Sequence, residues 1–177
     1  MNEPERKGGA HRLLDVLSDP ARRAAALREL ATLGPGARAA VRAGLGDGRW
    51  EVRRECALWL WTFPDPADLP VLVPLLRDPK SKVRHAVVVA LALAHAGRPE
   101  ADVVPLLVER ALQDESLRVR RQAVCLLAWA LAHPDLEGFF AELLESERDP
   151  KLLCYARAGV RFCREGAARR DAERAPC

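Results

Sequence analysis

The sequence predicts an all-α protein, an α-solenoid built from about five helix pairs. Three observations predict this fold. A short pattern recurs every 31 to 36 residues along the chain, Asp-Pro dipeptides stand where helices would begin, and Gly/Pro clusters separate the apolar, Ala-rich segments. Repeats of roughly 20 to 50 residues are the sequence signature of units that bury their apolar faces only by stacking on their neighbours.

The repeat consists of an aspartate, a valine five residues later and an arginine six residues later. The three clear copies are Asp47–Val52–Arg53, Asp78–Val83–Arg84 and Asp114–Val119–Arg120. Their aspartates are 31 and 36 residues apart, and a weaker copy begins 35 residues further on, at Asp149. A degenerate first copy lies around Asp19. An apolar segment rich in alanine follows each Val-Arg pair, so each copy predicts one helix–turn–helix unit.

Turn-forming residues set the limits of the helices. Asp-Pro occurs at 19–20, 78–79 and 149–150, which suits an Asp cap followed by Pro in the first helical turn. With the Gly/Pro clusters as separators, the predicted pairs are 9–18/20–33, 35–46/49–63, 66–77/80–96, 99–113/116–132 and 135–147/149–165. We expect one repeat domain over 9–165, with a flexible N-terminus over 1–8 and a flexible tail over 166–177.

The recurrent arginine needs a partner, because a cation in the first turn of a helix opposes the helix dipole at a cost of about 0.3–1 kcal/mol. The recurrent aspartate, from the same repeat or a neighbouring one, is the obvious partner. We therefore predict an Asp–Arg ladder that fixes the register of the repeats. Its members are Asp47, Arg53, Asp78, Arg84, Asp114 and Arg120.

Composition restricts the class of protein. Of the 177 residues, 49% are hydrophobic and 30% charged, as in ordinary globular proteins, and the net charge of +3 does not by itself indicate nucleic-acid binding. The five cysteines form no CxxC pair, and four lie in apolar helical segments, which favours a reducing compartment. No secretory signal is recognisable, and the longest apolar runs are too short to cross a bilayer. We expect a cytoplasmic protein that does not contact membranes.

Motifs that would carry chemistry were not found. No two of the four histidines, His11, His85, His95 and His133, form the i, i+4 pair of a helical zinc site. No cysteine has the surroundings of a known nucleophile signature, and no Gly-rich phosphate loop ends in GK[ST]. We therefore predict a protein that is not an enzyme, with no catalytic residue, no metal and no cofactor.

One face of the second helices is apolar where it should be polar. On the predicted helix 49–63, Val52, Cys56 and Trp59 share the side expected to pack, at about 100° per residue. The opposite side and its equivalents in the two later repeats form a stripe, which consists of Arg54, Leu58, Trp61, His85, Val89, Leu93, Arg121, Cys125 and Trp129. Exposed apolar patches with aromatic and Arg residues are typical of binding sites. The alternative is that neighbouring helices cover these side chains.

The last predicted helix differs from the others. Arg157, Arg161 and Arg164 recur at i, i+4 and i+7 and form one basic face. A solvated face is the ordinary interpretation, and a contact for an acidic protein or a phosphate is the alternative.

The L-x-D…V-R…A pattern resembles the HEAT repeat, including the short HEAT-like repeats of bilin lyases, over about residues 10–165. The resemblance implies a right-handed solenoid whose second helices line a concave surface. The stripe would then form a groove with an apolar floor and a rim of Arg54, His85 and Arg121. One HEAT-repeat enzyme family, deoxyhypusine hydroxylase, binds iron through His-Glu pairs, and this chain contains no His-Glu dipeptide.

Three hypotheses for function remain open, because HEAT repeats serve unrelated roles. The first is a non-catalytic scaffold or adaptor that holds a peptide or helix of a protein partner on its concave face. The second is nucleic-acid binding, with similarity to HEAT-like DNA glycosylases, although no Asp lies beside Trp61 or Trp129 on the second helices. The third is an accessory factor similar to bilin lyases. Salt-dependent DNA binding would distinguish the first two.

Overall fold

The computed structural model describes residues 3–94, 103–131 and 134–174, and within these ranges it contains helices and no strand. The all-α prediction is confirmed. The α-helices are α1 (Glu3–Asp15), α2 (Pro20–Leu33), α3 (Arg38–Gly44), α4 (Trp50–Thr62), α5 (Leu69–Leu72), α6 (Ser81–Ala94), α7 (Val103–Gln113), α8 (Leu117–Leu126), α9 (Glu137–Ser146) and α10 (Pro150–Arg174). They follow one another as the five predicted pairs, and the predicted helical positions 95–96, 99–102 and 132 lie outside the described residues.

Several helices differ from their predicted bounds for local reasons. The first helix of the third pair is broken into α5 and two flanking 3₁₀ turns, Pro66–Asp68 and Val73–Arg77, because Pro at 66, 70 and 74 removes main-chain donors. The end of α8 widens into a π-helical turn, Leu127–Leu131. The terminal segments that we expected to be flexible are helical at 3–8, in α1, and at 166–174, in α10.

The chain divides into two compact units, residues 1–94 and 95–177, where we expected a single repeat domain. In the N-terminal unit, α4 packs against α3 and α6. Trp59 of α4 is buried, and its indole N–H donates to the carbonyl oxygen of Leu30 at 3.3 Å. Its ring also stacks on Phe63, with centroids 4.5 Å apart. The predicted packing side of α4 therefore forms part of the core of this unit.

In the C-terminal unit, α9 and α10 approach each other very closely at Gly159. A β-carbon added there would lie 2.5–2.6 Å from three carbons of the Phe140 ring, which is fully buried. Only a residue without a side chain fits between these helices. Gly138, on α9, faces open space and has no neighbouring atom within 4 Å of an added β-carbon.

We expect Gly159→Ala to destabilise the protein by about 1–3 kcal/mol, because the Phe140 ring must move in a packed core. The matched substitution Gly138→Ala should stabilise α9 by about 0.5–1 kcal/mol, since alanine loses less backbone entropy in a helix. Urea unfolding of both variants measures the difference. Two variants with equal free energies of unfolding would contradict the close packing at Gly159.

Candidate functional site

The turn of each clear repeat is closed by two hydrogen bonds of the same kind. The aspartate carboxylate accepts from the main-chain N–H two residues later, at 2.7, 2.8 and 2.9 Å in the pairs Asp47–Arg49, Asp78–Lys80 and Asp114–Ser116. The arginine six residues later donates to the main-chain carbonyl oxygen of the same aspartate, at 2.8, 2.8 and 3.1 Å in the pairs Arg53–Asp47, Arg84–Asp78 and Arg120–Asp114. These two bonds close the turn between the helices of each repeat and join the first turn of the second helix to the aspartate.

One of these arginines also reaches the next repeat. Arg53 donates from Nε to one carboxylate oxygen of Asp78 at 2.7 Å, and from Nη2 to the other at 3.1 Å. The Asp78 residue is only 6% exposed, and its carboxylate raises the pKa of Arg53, mainly through these hydrogen bonds. Asp78 therefore closes the turn before α6 and holds the second helix of the preceding repeat.

In the C-terminal unit the equivalent contact is made by Arg121, which we had placed at the rim of the groove. Its Nε donates to Oδ1 of Asp149 at 2.9 Å, and its Nη2 donates to Oδ2. Asp149 also accepts from the main-chain N–H of Leu152 at 3.0 Å, at the start of α10. The Arg121 guanidinium is thus committed to Asp149, and Arg121 joins the ladder beside Arg120.

The Arg121 guanidinium holds the pKa of Asp149 well below its ordinary value of 3.8. A carboxyl group with a lowered folded-state pKa contributes stability above its unfolded pKa and loses it as the pH falls towards the folded value. We therefore expect the free energy of unfolding to decrease as the pH is lowered below about 4. In Asp149→Asn this decrease should be less steep. Asparagine keeps an oxygen that can cap the helix but has no charge to titrate.

Urea unfolding between pH 7 and pH 2 measures this slope. Arg121→Gln should flatten it in the same way, because it removes the cation that lowers the pKa. An unchanged slope in both variants would contradict a stabilising Arg121–Asp149 pair.

The N-terminal unit also contains a cluster of ion pairs that was not predicted from the sequence. Asp68, which is 1% exposed, accepts from Nε of Arg42 at 2.6 Å and from Nη1 of Arg38. Arg38 also donates to the carbonyl oxygen of Phe63 at 2.8 Å, and its guanidinium lies 5.8 Å from the centroid of Trp59. This cluster joins α3 to the turn that precedes α5.

The six stripe residues of the N-terminal unit lie on α4 and α6, which pack side by side. Trp61 is 44% exposed. The remaining five are partly exposed, so neighbouring helices cover part of each side chain; they are Arg54, Leu58, His85, Val89 and Leu93. Arg54 forms an ion pair with Glu55, the buried residue that follows it.

A contact that we did not predict links the two helices on this side. The Lys82 ammonium lies 4.8 Å from the ring centroid of Trp50. Trp50, Arg54, Leu58 and Trp61 recur at helical spacing along α4, and Lys82, His85, Val89 and Leu93 do so along α6. We call these eight residues the α4–α6 face.

The stripe residues of the C-terminal unit lie on and just after α8. Trp129 is 59% exposed, and its ring meets the ring of Phe162 edge-on, with centroids 4.8 Å apart. The guanidinium of Arg161 lies 5.0 Å from the centroid of the same Phe162 ring. Cys125 is partly exposed one helical interval before Trp129. The aromatic contact to α10 was not predicted, because the repeat pattern weakens in the last helix pair.

The basic face predicted on α10 is exposed. Arg161 lies 3.8 Å from Glu165, and Arg164 forms an ion pair with Glu137 of α9 at 2.7 Å. Arg157 has no acidic partner within the part of the chain that the structure describes.

Comparison with known proteins identifies the repeats. Residues 10–92 match the family described as HEAT repeats. Over residues 10–92 the chain is similar to HEAT repeats. It contains the degenerate first copy of the Asp–Val–Arg pattern and the copies that begin at Asp47 and Asp78. The predicted resemblance, which we expected over about residues 10–165, is therefore confirmed over residues 10–92.

The fold likeness extends beyond the matched HEAT repeats. The crystal structure of an engineered protein, from the Northeast Structural Genomics Consortium, superposes with a TM-score of 0.62 over 90% of this chain and 81% of that chain. The two sequences are 22% identical, so the likeness concerns the fold alone. A search of curated proteins found no match.

Cys56, in the matched segment, is a core residue, whereas Cys125, in the C-terminal unit, is partly exposed. Burial raises the pKa of the Cys56 thiol to about 12, and burial also raises that of Cys125. A protonated thiol is a poor nucleophile and a poor metal ligand. Over the described residues, no three His, Cys, Asp or Glu side chains converge into a group that could hold a metal ion. No described helix is long and apolar enough to cross a membrane.

Proposed function

We propose that this HEAT-repeat protein is a protein-binding scaffold that holds a peptide or helix of its partner against the second helices. The observation that carries the proposal is the exposure of Trp61 on the α4–α6 face, where it continues the helical row of Leu58 and Arg54. Tryptophan and arginine are enriched among the residues that dominate binding energies. HEAT repeats are commonly scaffolds for protein interactions.

The composition of the α4–α6 face fits an amphipathic helix. Leu58, Val89 and Leu93 supply an apolar middle that neighbouring helices cover only in part. Three basic residues lie beside this apolar middle, nearer the beginnings of α4 and α6; they are Arg54, Lys82 and His85. A helix placed on such a surface would bury its apolar side in the middle and keep its polar side in water. Arg121, Cys125 and Trp129 are the corresponding residues of the C-terminal unit.

Peptides selected from a phage-displayed library on the wild-type protein provide a ligand for the test. We expect Trp61→Ala to weaken binding of peptides bound at the α4–α6 face by about thirtyfold or more, because truncation of a central aromatic anchor commonly costs about 2 kcal/mol. Trp61→Ala combined with Trp129→Ala should reduce total peptide capture more than a hundredfold. Binding is measured by fluorescence anisotropy, and circular dichroism checks that both variants stay helical.

Val71→Ala is the matched control, since Val71 is an exposed apolar residue on a first helix and should leave binding unchanged. Folded Trp variants that bind every selected peptide with wild-type affinity would refute the proposal. Preferential, strongly salt-dependent binding of single-stranded DNA would refute it as well, in favour of nucleic-acid recognition.

A further inference from the structure

The C-terminal unit presents a row of aromatic side chains between α8 and α10. Among the described residues, Trp129 is the most exposed large apolar side chain. The ring of Phe162, on α10, packs edge-on against it. Tyr155 and Ala158, both partly exposed, precede Phe162 at helical spacing on α10, and Cys125 precedes Trp129 on α8. These five residues, which we call the α8–α10 row, form a partly solvated apolar surface within one unit.

The charges on these two helices are almost all positive. Among residues 117–131 and 150–166 the cations are Arg118, Arg120, Arg121, Lys151, Arg157, Arg161 and Arg164, and the only acidic residue is Glu165. Arg120 donates to the carbonyl oxygen of Asp114. Arg121 forms an ion pair with Asp149, and Arg164 forms one with Glu137. Arg118, Lys151 and Arg157 are exposed and have no acidic partner in the described part of the chain.

Two of these unpartnered cations, Arg118 and Lys151, lie at one end of the row. Arg118 precedes Cys125 and Trp129 at intervals of seven and eleven residues, so it lies on the same side of α8. Lys151 precedes Tyr155, Ala158 and Phe162 at four, seven and eleven residues and lies on the corresponding side of α10. At the other end, the Arg161 guanidinium lies over the Phe162 ring. The surface therefore has cations at both ends and an apolar middle, from Tyr155 to Phe162, about 10 Å long.

We propose that the α8–α10 row binds an acidic amphipathic segment of a protein partner. Apolar side chains of the segment pack on Trp129 and Phe162, and carboxylates near its ends pair with Arg118, Lys151 and Arg161. This inference rests on the proposed scaffold function and assigns a partner chemistry to one of its faces. Cys125 and Ala158 are too small and not planar enough to stack bases, so they favour apolar side chains over nucleotides in the middle of the row.

The test uses a fluorescein-labelled peptide in which Leu recurs every three or four residues and Glu fills the other positions. A second peptide has Gln in place of every Glu, and a labelled oligothymidylate represents nucleic acid. The Glu peptide should bind wild-type protein at least about tenfold more tightly than the Gln peptide at low salt, and added salt should reduce this advantage.

Two kinds of variant locate the site. Trp129→Ala should weaken binding of the Glu peptide about thirtyfold or more. Arg118→Glu with Lys151→Glu should weaken it at least about tenfold; both side chains are exposed, so this variant does not depend on core packing. Leu112→Ala, another exposed apolar position in the same unit, and Arg77→Glu, an exposed cation elsewhere, are matched controls that should bind as the wild type does.

Wild-type affinity in the folded Trp129 and charge-reversal variants would overturn the inference. So would tighter binding of oligothymidylate than of the Glu peptide at this row. Failure of the Glu peptide to bind, while selected peptides still bind in a Trp61-dependent manner, would overturn this inference and leave the scaffold proposal standing. If neither the Glu peptide nor any selected peptide bound, both this inference and the scaffold proposal would be overturned.

Discussion

Replacing Arg38 and Arg42 together by methionine is expected to lower the free energy of unfolding by about 3–5 kcal/mol. The two guanidinium groups are the partners of the Asp68 carboxylate, which is 1% exposed. Their removal leaves a buried carboxylate without its cations, and removal of one side of a buried ion pair is strongly destabilising. Urea unfolding followed by far-UV circular dichroism measures the change.

A third substitution separates this cause from loss of the arginine side chains themselves. Adding Asp68→Leu to the Arg38→Met/Arg42→Met variant should recover most of the lost stability, because a buried ion cluster can be replaced by packed apolar residues at little net cost. Arg28→Met, on the exposed side of α2, should change stability by less than about 0.5 kcal/mol. If the double variant were as stable as the Arg28 control, Asp68 would not depend on these two arginines.

Asp78→Ala should destabilise the N-terminal unit by about 2–4 kcal/mol. The substitution removes the acceptor for the Lys80 N–H in the turn before α6, a hydrogen bond worth about 1 kcal/mol. It also removes the two carboxylate oxygens to which Arg53 donates. The Arg53 side chain is 13% exposed, and hydrogen bonds to charged groups contribute about 1.5–3 kcal/mol.

Asp78→Asn distinguishes the two contributions. Asparagine retains a side-chain oxygen that can accept from the Lys80 N–H but offers no carboxylate to Arg53, so it should destabilise the unit less than Asp78→Ala does. Asp19→Ala serves as the comparison, because Asp19 caps α2 through the Ala21 N–H at 2.9 Å and should lose only the cap. Equal costs for Asp78→Ala and Asp19→Ala would mean that the Arg53 contact adds nothing.

The helix pairs could be predicted because their pattern is local and repeated. Asp47, Asp78 and Asp114 each begin a copy at a visible spacing, and the packing side of α4 follows from helical periodicity alone. Trp59 and Trp61 are two residues apart, and about 200° of helical rotation places the first in the core and the second at the surface.

The remaining contacts depend on which helices meet in three dimensions. Nothing in the pattern distinguishes Arg120 from Arg121 as the partner of Asp149, because either could face the next repeat after a small rotation of α8. Asp68 lies outside the repeated positions. The only signal for this cluster in the sequence is the i, i+4 spacing of Arg38 and Arg42, which allows a shared acceptor. The contact between Trp129 and Phe162 joins residues 33 positions apart and follows no repeat.

The Arg53–Asp78 contact has a consequence for how such a chain can change in length. The repeat that begins at Asp47 contains the donor, Arg53, and the repeat that begins at Asp78 contains its acceptor. Arg121 and Asp149 are related in the same way in the C-terminal unit. Duplication of a whole repeat would therefore insert a segment whose two ends already match their new neighbours. Loss of half a repeat would instead leave a carboxylate such as that of Asp78, which is largely buried, without its arginine. We expect insertions and deletions in related chains to occur in whole helix pairs.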